Sequence, residues 1–373
     1  MGAVRVPING DTLRWAREIG QVQLTELAKA VNVRVERILA FEDGTSEPTF
    51  NQLTAISRKL GRPVASFFCE KPADSGIPTT VDFRGASGPT SSKLVKTLKR
   101  LEEHRLGFLE LEPEPPKLGF QFEVSSAPKE LAKSARAALG LADTFVPKTN
   151  GPTQTFDFWR NILGESGILV FQTSGIDIDV FRGLSVYHDR LPLIVVNGGD
   201  SNAGRIFTLF HEYGHLLERT SGVCGSSEAA PIEVRCNQFA QEFLMPAEAV
   251  GNLVLTGDYK ALVDQVSKFF KVSKLAAAIR LRSLHRITET EVSLVREQSD
   301  EEWATYRASL KAAPGGPAWH KIRYRDLGSH YVGAVARGLE SKAIGLLDAT
   351  YLLDAKVPAV SKILEEHMRS GAH

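Results

Sequence analysis

The pentapeptide His-Glu-Tyr-Gly-His at residues 211–215 constrains this 373-residue chain more than any other feature. It lies within residues 205–218, where apolar residues recur at the spacing of an α-helix. Residues four apart project from one face of a helix, so His211 and His215 would lie one turn apart. Two neutral imidazoles at that spacing can share one zinc ion, and Glu212 can take a proton from a water that the metal activates. The pattern predicts a hydrolase; the alternative is a buried helix with two hydrogen-bonded histidines.

A third ligand has to come from elsewhere, because a catalytic zinc usually has three protein ligands and one open position. Residues 231–246 have the pattern of a second helix, which Pro231 would begin and Pro246 would end. Glu233 lies in its first turn, four residues before Asn237, so both side chains project from one face. We predict that Glu233 is the third ligand and that Asn237 orients it or a neighbouring ligand. The alternative is a solvated first-turn glutamate, which the helix dipole favours.

These two helices resemble the ImmA/IrrE family of metallopeptidases. Its members carry an HExxH helix followed by a helix with a Glu, an Asn and a closing Leu-Met-Pro, which this chain has at residues 244–246. The similarity covers about residues 150–290. It implies a minimal zincin-like fold, one Zn2+ as cofactor, Glu212 as the catalytic acid/base, and three metal ligands: His211, His215 and Glu233.

Three β-rich segments lie ahead of the motif, at residues 167–171, 183–187 and 193–196. The turn at residues 188–190 predicts that the second and third segments form a hairpin. In zincin-like folds an edge strand beside the metal binds the substrate backbone, and we assign this task to residues 183–188.

Two side chains near the end of that predicted edge strand are candidates for catalysis. Tyr187 or His188 would polarise the scissile carbonyl or stabilise the oxyanion. Exposed hairpin side chains without a catalytic role are the alternative interpretation for either residue.

Residues 9–68 have a helical pattern with short breaks, and two short helices joined by a tight turn predict a helix-turn-helix. The segment resembles the phage-repressor-like (XRE) family at Glu26, Leu27, Ala28, Val33, Ile38, Glu42, Gly44, Pro48, Thr49 and Leu53. The resemblance makes the helix from Arg34 the recognition helix, with Arg34 and Arg37 as candidate DNA contacts. Residues 1–70 contain nine Lys/Arg and eight Asp/Glu. This balance leaves two interpretations open, DNA binding and a protein-interaction module.

Many two-part members of the ImmA/IrrE group carry a helix-turn-helix, a Phe-Phe segment and an Asp-Phe-Arg linker in that order. This chain has the last two at residues 67–68 and 82–84. We predict an α+β, predominantly helical fold with a five-helix N-terminal helix-turn-helix domain, a minimal zincin-like metallopeptidase domain with a small sheet, and a helical C-terminal extension. The predicted domains are residues 1–70 (helix-turn-helix), 71–150 (linker and connecting helices), 151–290 (peptidase) and 291–373 (extension).

Composition bounds the remaining possibilities. Hydrophobic residues make up 43% and charged residues 24% of the chain, and the net charge is +1, as in ordinary globular proteins. No apolar run is long enough to span a membrane, and the N-terminus lacks a signal-peptide pattern. Three cysteines without a C-x-x-C pair predict no disulfide framework. We therefore expect a cytoplasmic protein with no membrane partner.

Residues 259–286 contain seven Lys/Arg against one acid, Asp264, again with a helix-turn-helix rhythm. This segment is either a solvated basic face over a packed helix or a second surface for DNA.

The sequence as a whole predicts a regulatory zinc metallopeptidase that hydrolyses a peptide bond in a partner protein. The resemblance implies a transcriptional repressor as that substrate, in stress response or mobile-element control. The alternative is a DNA-binding transcriptional regulator or antitoxin-like module with little or no protease activity. Double-stranded DNA as a second partner and a homodimer as the assembly stay open.

Overall fold

The computed structural model describes residues 5–20, 22–62, 64–70, 92–116, 127–219, 222–224, 231–312 and 316–371. Within these ranges the predicted α+β, predominantly helical fold is confirmed, with 17 α-helices and one four-stranded sheet. The chain divides into two compact units, and the division falls between Glu103 and His104. The predicted domain boundaries stay predictions, and the Asp-Phe-Arg motif at residues 82–84 lies outside the described residues. None of the described helices combines the length and apolarity needed to cross a bilayer.

The first unit is built from short helices joined by tight turns. It contains α1 (Gly10–Ile19), α2 (Leu24–Val31), α3 (Val35–Glu42), α4 (Phe50–Leu60), a 3-10 helix (Val64–Phe68) and the start of α5 (Ser92–Leu111). Asn32 ends α2 in the left-handed conformation, with φ 56° and ψ 51°, which Asn adopts at low cost. Arg34 is the N-cap of α3, so this helix begins one residue later than predicted. The core is formed by Leu27, Ile38, Phe41, Leu53 and Ile56, all fully buried.

A buried ion pair ties α3 to α1. The carboxylate of Glu42 accepts hydrogen bonds from Arg17 Nε at 2.6 Å and Arg17 Nη2 at 2.9 Å. The Glu42 side chain is 1% exposed and that of Arg17 14%. Hydrogen bonding to Glu42 raises the pKa of Arg17, so the guanidinium stays charged. Glu42, which contributed to the helix-turn-helix resemblance, is thus a structural anchor of the first unit.

The second unit opens with the remainder of α5, then α6 (Pro128–Ala138) and α7 (Pro152–Glu165). Its strands are β1 (Leu169–Thr173), β2 (Gly183–Val186), β3 (Leu193–Asn197) and β4 (Gly222–Cys224). Between β3 and β4 lies α8 (Asn202–Leu217), and after β4 comes α9 (Pro231–Leu244). The predicted hairpin is confirmed, since β2 and β3 pair antiparallel from Gly183 opposite Val196 to Val186 opposite Leu193.

The strand order is β1-β3-β2-β4, with β1 parallel to β3 and the other pairs antiparallel. We predicted that residues 183–188 form an edge strand, and this is wrong, because β2 pairs with β3 on one side and β4 on the other. The sequence gives no sign of β4, because three residues are too few for a recognisable strand pattern.

Eight helices follow: α10 (Ala247–Gly251), α11 (Tyr259–Phe270), α12 (Lys274–Ser283), α13 (Glu289–Ala312), α14 (Trp319–Leu327), α15 (Ser329–Glu340), α16 (Leu346–Leu352) and α17 (Val357–Ser370). Arg160 of α7 joins one of them, α14, to the sheet: its Nε donates to the Val170 carbonyl at 2.8 Å and its Nη2 to the Asp326 carbonyl at 2.9 Å. A Cβ atom on Gly328, whose φ is +85°, would overlap the Arg160 guanidinium. The C-terminal helices therefore complete the core around β1 and α7.

Most of the basic groups on α11 and α12 already have partners. Arg280 is buried, donates to both carboxylate oxygens of Glu242 at 2.6 and 2.7 Å, and donates to the Met245 carbonyl at 2.8 Å. Three further ion pairs join Lys274 to Glu302, Arg282 to Glu289 and Lys268 to Asp264. These contacts favour the packing interpretation of the basic segment over a second surface for DNA.

Substitution of Glu42 by Ala should destabilise the first unit by about 2–3 kcal/mol, because it removes two charge-assisted hydrogen bonds between the buried carboxylate and the partly buried Arg17 guanidinium. Asp43→Ala is the matched control. Its ion pair with Arg14 is exposed, so we expect about 1 kcal/mol or less. Amide hydrogen exchange of α1–α3 in the full chain measures both effects, and equal effects would contradict the anchor role of Glu42.

Candidate metal centre

The HExxH segment lies in the C-terminal half of α8. The Ser201 hydroxyl accepts from the Gly204 amide and caps the start of this helix. Every residue from Thr208 to the end of α8 is buried. His211 and His215 are 7% and 5% exposed, although imidazole normally prefers a more polar setting. The protein therefore encloses both rings almost completely.

A glycine brings the second ligand-bearing helix close to the first. A Cβ atom on Gly214 would lie 3.1 Å from Phe239 Cδ1 and 3.4 Å from the Cα of Cys236, both on α9. Even a methyl group would require the Phe239 ring to shift by a few tenths of an ångström, and a longer side chain would push the helices apart. Gly214 is one of the two variable positions of the HExxH pattern. Because it has no side chain, α9 can pack close to α8, and the first turn of α9 faces the two histidines.

The predicted ligands come together as a small triangle of donor atoms. Glu233 Oε2 lies 3.1 Å from His211 Nε2, and Glu233 Oε1 lies 3.3 Å from His215 Nε2. The two Nε2 atoms are 3.2 Å apart. Among the described residues, His211, His215 and Glu233 form a group whose ligand atoms all lie within 4.8 Å of one another, close enough to hold a metal ion.

The triangle has the size that a tetrahedral ion requires. Zinc bonds of about 2.0–2.1 Å place neighbouring ligand atoms about 3.3 Å apart, close to the three observed distances. Two imidazoles and one carboxylate are also a donor set found in catalytic zinc sites. The residues therefore fit the metal ion that the sequence implies.

Asn237 lies one turn beyond Glu233 and contacts a histidine ligand. Its Oδ1 atom is 2.9 Å from His211 Nδ1. With the proton on Nδ1, His211 donates to Asn237 and keeps the Nε2 lone pair directed at the donor triangle. The contact belongs to His211, the neighbouring ligand, and not to Glu233.

The Glu233 carboxylate and the His211 imidazole shift each other's pKa. Burial opposes the charge on Glu233, but hydrogen bonds with His211 and His215 outweigh it and hold the Glu233 pKa far below its usual range. Burial also opposes the charge on His211, but its contacts with Glu233 and Glu212 raise the His211 pKa. An ionised carboxylate beside two imidazoles is the charge distribution that attracts a divalent cation.

Cys236 departs from the alanine common in the resembling family and lies next to this site, where a reactive thiol would matter. The residue is 1% exposed. Burial raises the pKa of its thiol, and the nearby carboxylates of Glu212, Glu233 and Glu218 raise it further. The thiol therefore stays protonated and behaves as a small core residue with little reactivity.

Gly183, which the sequence did not single out, lies directly against Glu212. The Glu212 carboxylate is fully buried. A Cβ atom on Gly183 would lie 2.7 Å from Glu212 Oε1 and would overlap the methyl group of Thr208. The first residue of β2 therefore has to lack a side chain. A glycine inside a strand often marks such a close approach, and that signal was available in the sequence.

The other predicted site residues lie elsewhere. Tyr187 follows the last residue of β2, and its hydroxyl donates to Asp189 Oδ1 at 3.0 Å. His188 is the next residue, and neither belongs to the donor triangle. In the first unit, Arg34 is exposed, and the Arg37 guanidinium lies 5.3 Å from the Phe41 ring centroid. Catalysis by Tyr187 or His188 and DNA contact by Arg34 or Arg37 stay predictions.

Comparison with known families agrees with this geometry. Residues 164–282 match the family model Peptidase_M78, described as an IrrE N-terminal-like domain. The match includes β1–β3, α8 and α9 and supports the ImmA/IrrE resemblance of this segment, with a peptidase role. A search of curated proteins found no match to the chain.

The contact of Gly183 with α8 can be tested by substitution. Gly183→Ala should lower the free energy of unfolding by about 1–3 kcal/mol, because the added methyl overlaps Thr208 and Glu212. The same change should cost less in a Thr208→Ser background, which removes the overlapping methyl group. Urea denaturation measures both costs. Ser185→Ala on the same strand is the control, since the buried Ser185 hydroxyl lacks a hydrogen-bond partner within the described residues. Equal costs of Gly183→Ala in the two backgrounds would contradict the contact.

Proposed function

We propose that this chain is a zinc-dependent metallopeptidase of the HExxH type, which hydrolyses a peptide bond in a partner protein. The observation that carries the proposal is the donor triangle of His211, His215 and Glu233, with sides of 3.1–3.3 Å. The buried carboxylate of Glu212 follows His211 directly in the sequence. The match to the Peptidase_M78 model supports the same class of reaction.

In the proposed reaction, His211, His215 and Glu233 would hold zinc, which supplies Lewis-acid chemistry by polarising the scissile carbonyl and acidifying water. Glu212 accepts the proton of the attacking water and then passes it to the leaving amine nitrogen. Asn237 keeps His211 in the tautomer whose Nε2 lone pair faces the ligand triangle. Burial of Glu212 strengthens its interaction with the charge that develops, because the surroundings have a low dielectric constant.

The proposed substrate is a transcriptional repressor, and the proposed role is regulatory. The resemblance to the two-part ImmA/IrrE proteins supports this choice, and so does the helix-turn-helix layout of the first unit, a module that binds DNA or protein. In cells, one specific partner protein should disappear in the presence of the wild type and persist with Glu212→Gln.

Metal content tests the proposed site. Purified wild type should carry about one zinc ion per chain, and Glu233→Ala should lose it, since two histidines alone bind zinc much more weakly. Glu212→Gln is the matched control, which should keep the metal and lose hydrolysis of the partner. Elemental mass spectrometry measures the metal. Wild type that contains no zinc after reconstitution would overturn the proposal.

A second candidate function is DNA binding by the first unit, in which α3 would enter the major groove. The exposed position of Arg34 at the N-cap of α3 favours it, since the first residues of a recognition helix contact the bases. This function and the peptidase are compatible, because they use different units of the chain.

Salt dependence tests DNA binding without a known target sequence. If Arg34 neutralises a phosphate, Arg34→Ala should lower the slope of log affinity against log salt by about 1 on a duplex of random sequence. Lys356→Ala, an exposed lysine of the second unit, is the control and should leave the slope unchanged. Fluorescence anisotropy measures the slopes, and no difference between the variants would count against Arg34 as a DNA contact.

A further inference from the structure

The catalytic groups of the proposed site are covered by protein. His211 is 7% exposed, His215 5% and Glu212 0%. A general base has to come within hydrogen-bond distance of the attacking water and the leaving group. A substrate backbone therefore has to bind beside these residues, on the part of the sheet that lies against Glu212.

β4 lies where an extended substrate would bind. It pairs antiparallel with β2, with Cys224 opposite Gly183, Val223 opposite Leu184 and Gly222 opposite Ser185. Gly183 is the residue whose backbone lies against the Glu212 carboxylate. The backbone of β4 is thus hydrogen-bonded to the part of the sheet that lies beside the general base.

The pairing of β4 with β2 is short, so another extended segment can compete with β4 for the same edge of β2. It involves three residues of β4, whereas β1 and β3 pair over five. All four residues of β2 are buried, so its free edge would offer a partner backbone N–H and C=O groups rather than side chains. An edge of this kind accepts any extended segment that supplies the complementary groups.

We propose that residues 222–224 occupy the substrate's strand position in the resting protein and that an extended segment of the partner protein replaces them on β2. This inference rests on the proposed peptidase function and adds its regulation. The substrate is then a segment that is already unfolded or unfolds locally, selected at residues 183–185 by its extended backbone. β4 holds this edge of β2 until such a segment competes for it.

Adjacent proline substitutions in β4 provide a test with an internal control. On an antiparallel strand, successive N–H groups point to opposite sides, so only one of residues 222 and 223 donates to β2. Proline removes that donor. One of Gly222→Pro and Val223→Pro should therefore release β4, and the other should leave the ladder bonds intact.

The readout is binding of a fluorescein-labelled peptide of residues 219–226, with serine at position 224, to proteins that carry Glu212→Gln. Fluorescence anisotropy should give at least tenfold tighter binding for the releasing variant than for Glu212→Gln alone. The other proline variant should bind like Glu212→Gln alone. Unchanged binding in both variants, or an equal gain in both, would overturn the proposal.

A second variant acts in the opposite direction and covers the case in which proline disrupts folding. Leu184→Cys with Val223→Cys places two cysteines opposite each other, at a spacing that a disulfide can bridge. In a Cys69→Ser, Cys224→Ser background, oxidation should lower peptide binding at least tenfold, and reduction should restore it. Binding that is unaffected by oxidation would overturn the proposal.

Metal content of the same samples separates this inference from the proposed function. Glu212→Gln protein without zinc would contradict the peptidase, while the peptide measurements would still report whether β4 occupies β2. Zinc-loaded protein whose peptide binding ignores β4 would contradict only the displacement of β4.

Discussion

The close contact of α8 with α9 at Gly214 is the constraint on which the candidate metal centre depends. Two histidines on one helix give two donors, and a third has to arrive from another helix at a separation of about 3.3 Å. Because Gly214 has no side chain, the backbone of α9 at Cys236 approaches α8, and Glu233 reaches both imidazoles. A glycine inside a helix costs about 1 kcal/mol relative to alanine, so its presence here reflects this packing.

The far end of α9 is fixed by buried cations and aromatic rings. Arg136 donates to the Phe243 carbonyl, and Arg280 donates to the Met245 carbonyl and to Glu242. These contacts satisfy carbonyl groups that the end of a helix leaves without partners. The Phe243 ring stacks on Phe210 of α8 with centroids 4.2 Å apart, a contact worth about 0.5–1.5 kcal/mol beyond its buried area. Both ends of α9 are therefore held, and Glu233 has little freedom to leave the histidines.

Features with a strong local signal could be predicted from the sequence. The spacing of His211 and His215 indicated one helix with two donors, and the prolines around α9 indicated a second helix that carries Glu233. The structure brings these three donors together. Features that depend on distant contacts could not. β4 is too short to produce a strand pattern, and Arg160 reads as a solvated charge although it is buried beneath the C-terminal helices. The glycine at position 183 is a local sign of a close approach, but no local pattern identifies Thr208 and Glu212 of α8 as the side chains that approach it.

The contacts of Arg160 also show that the compact second unit extends beyond the segment matched by the family model. The family model ends at residue 282, yet the Asp326 carbonyl accepts from the Arg160 guanidinium, and burial lowers the Arg160 pKa to about 10. In a chain cut near residue 282, the Arg160 guanidinium would lose the Asp326 carbonyl as an acceptor and would keep the Val170 carbonyl of β1. The matched segment therefore ends before α14, whose Asp326 carbonyl completes the surroundings of Arg160. The helices beyond the matched segment are in this sense as much a part of the core of the second unit as the helices that carry the candidate ligands.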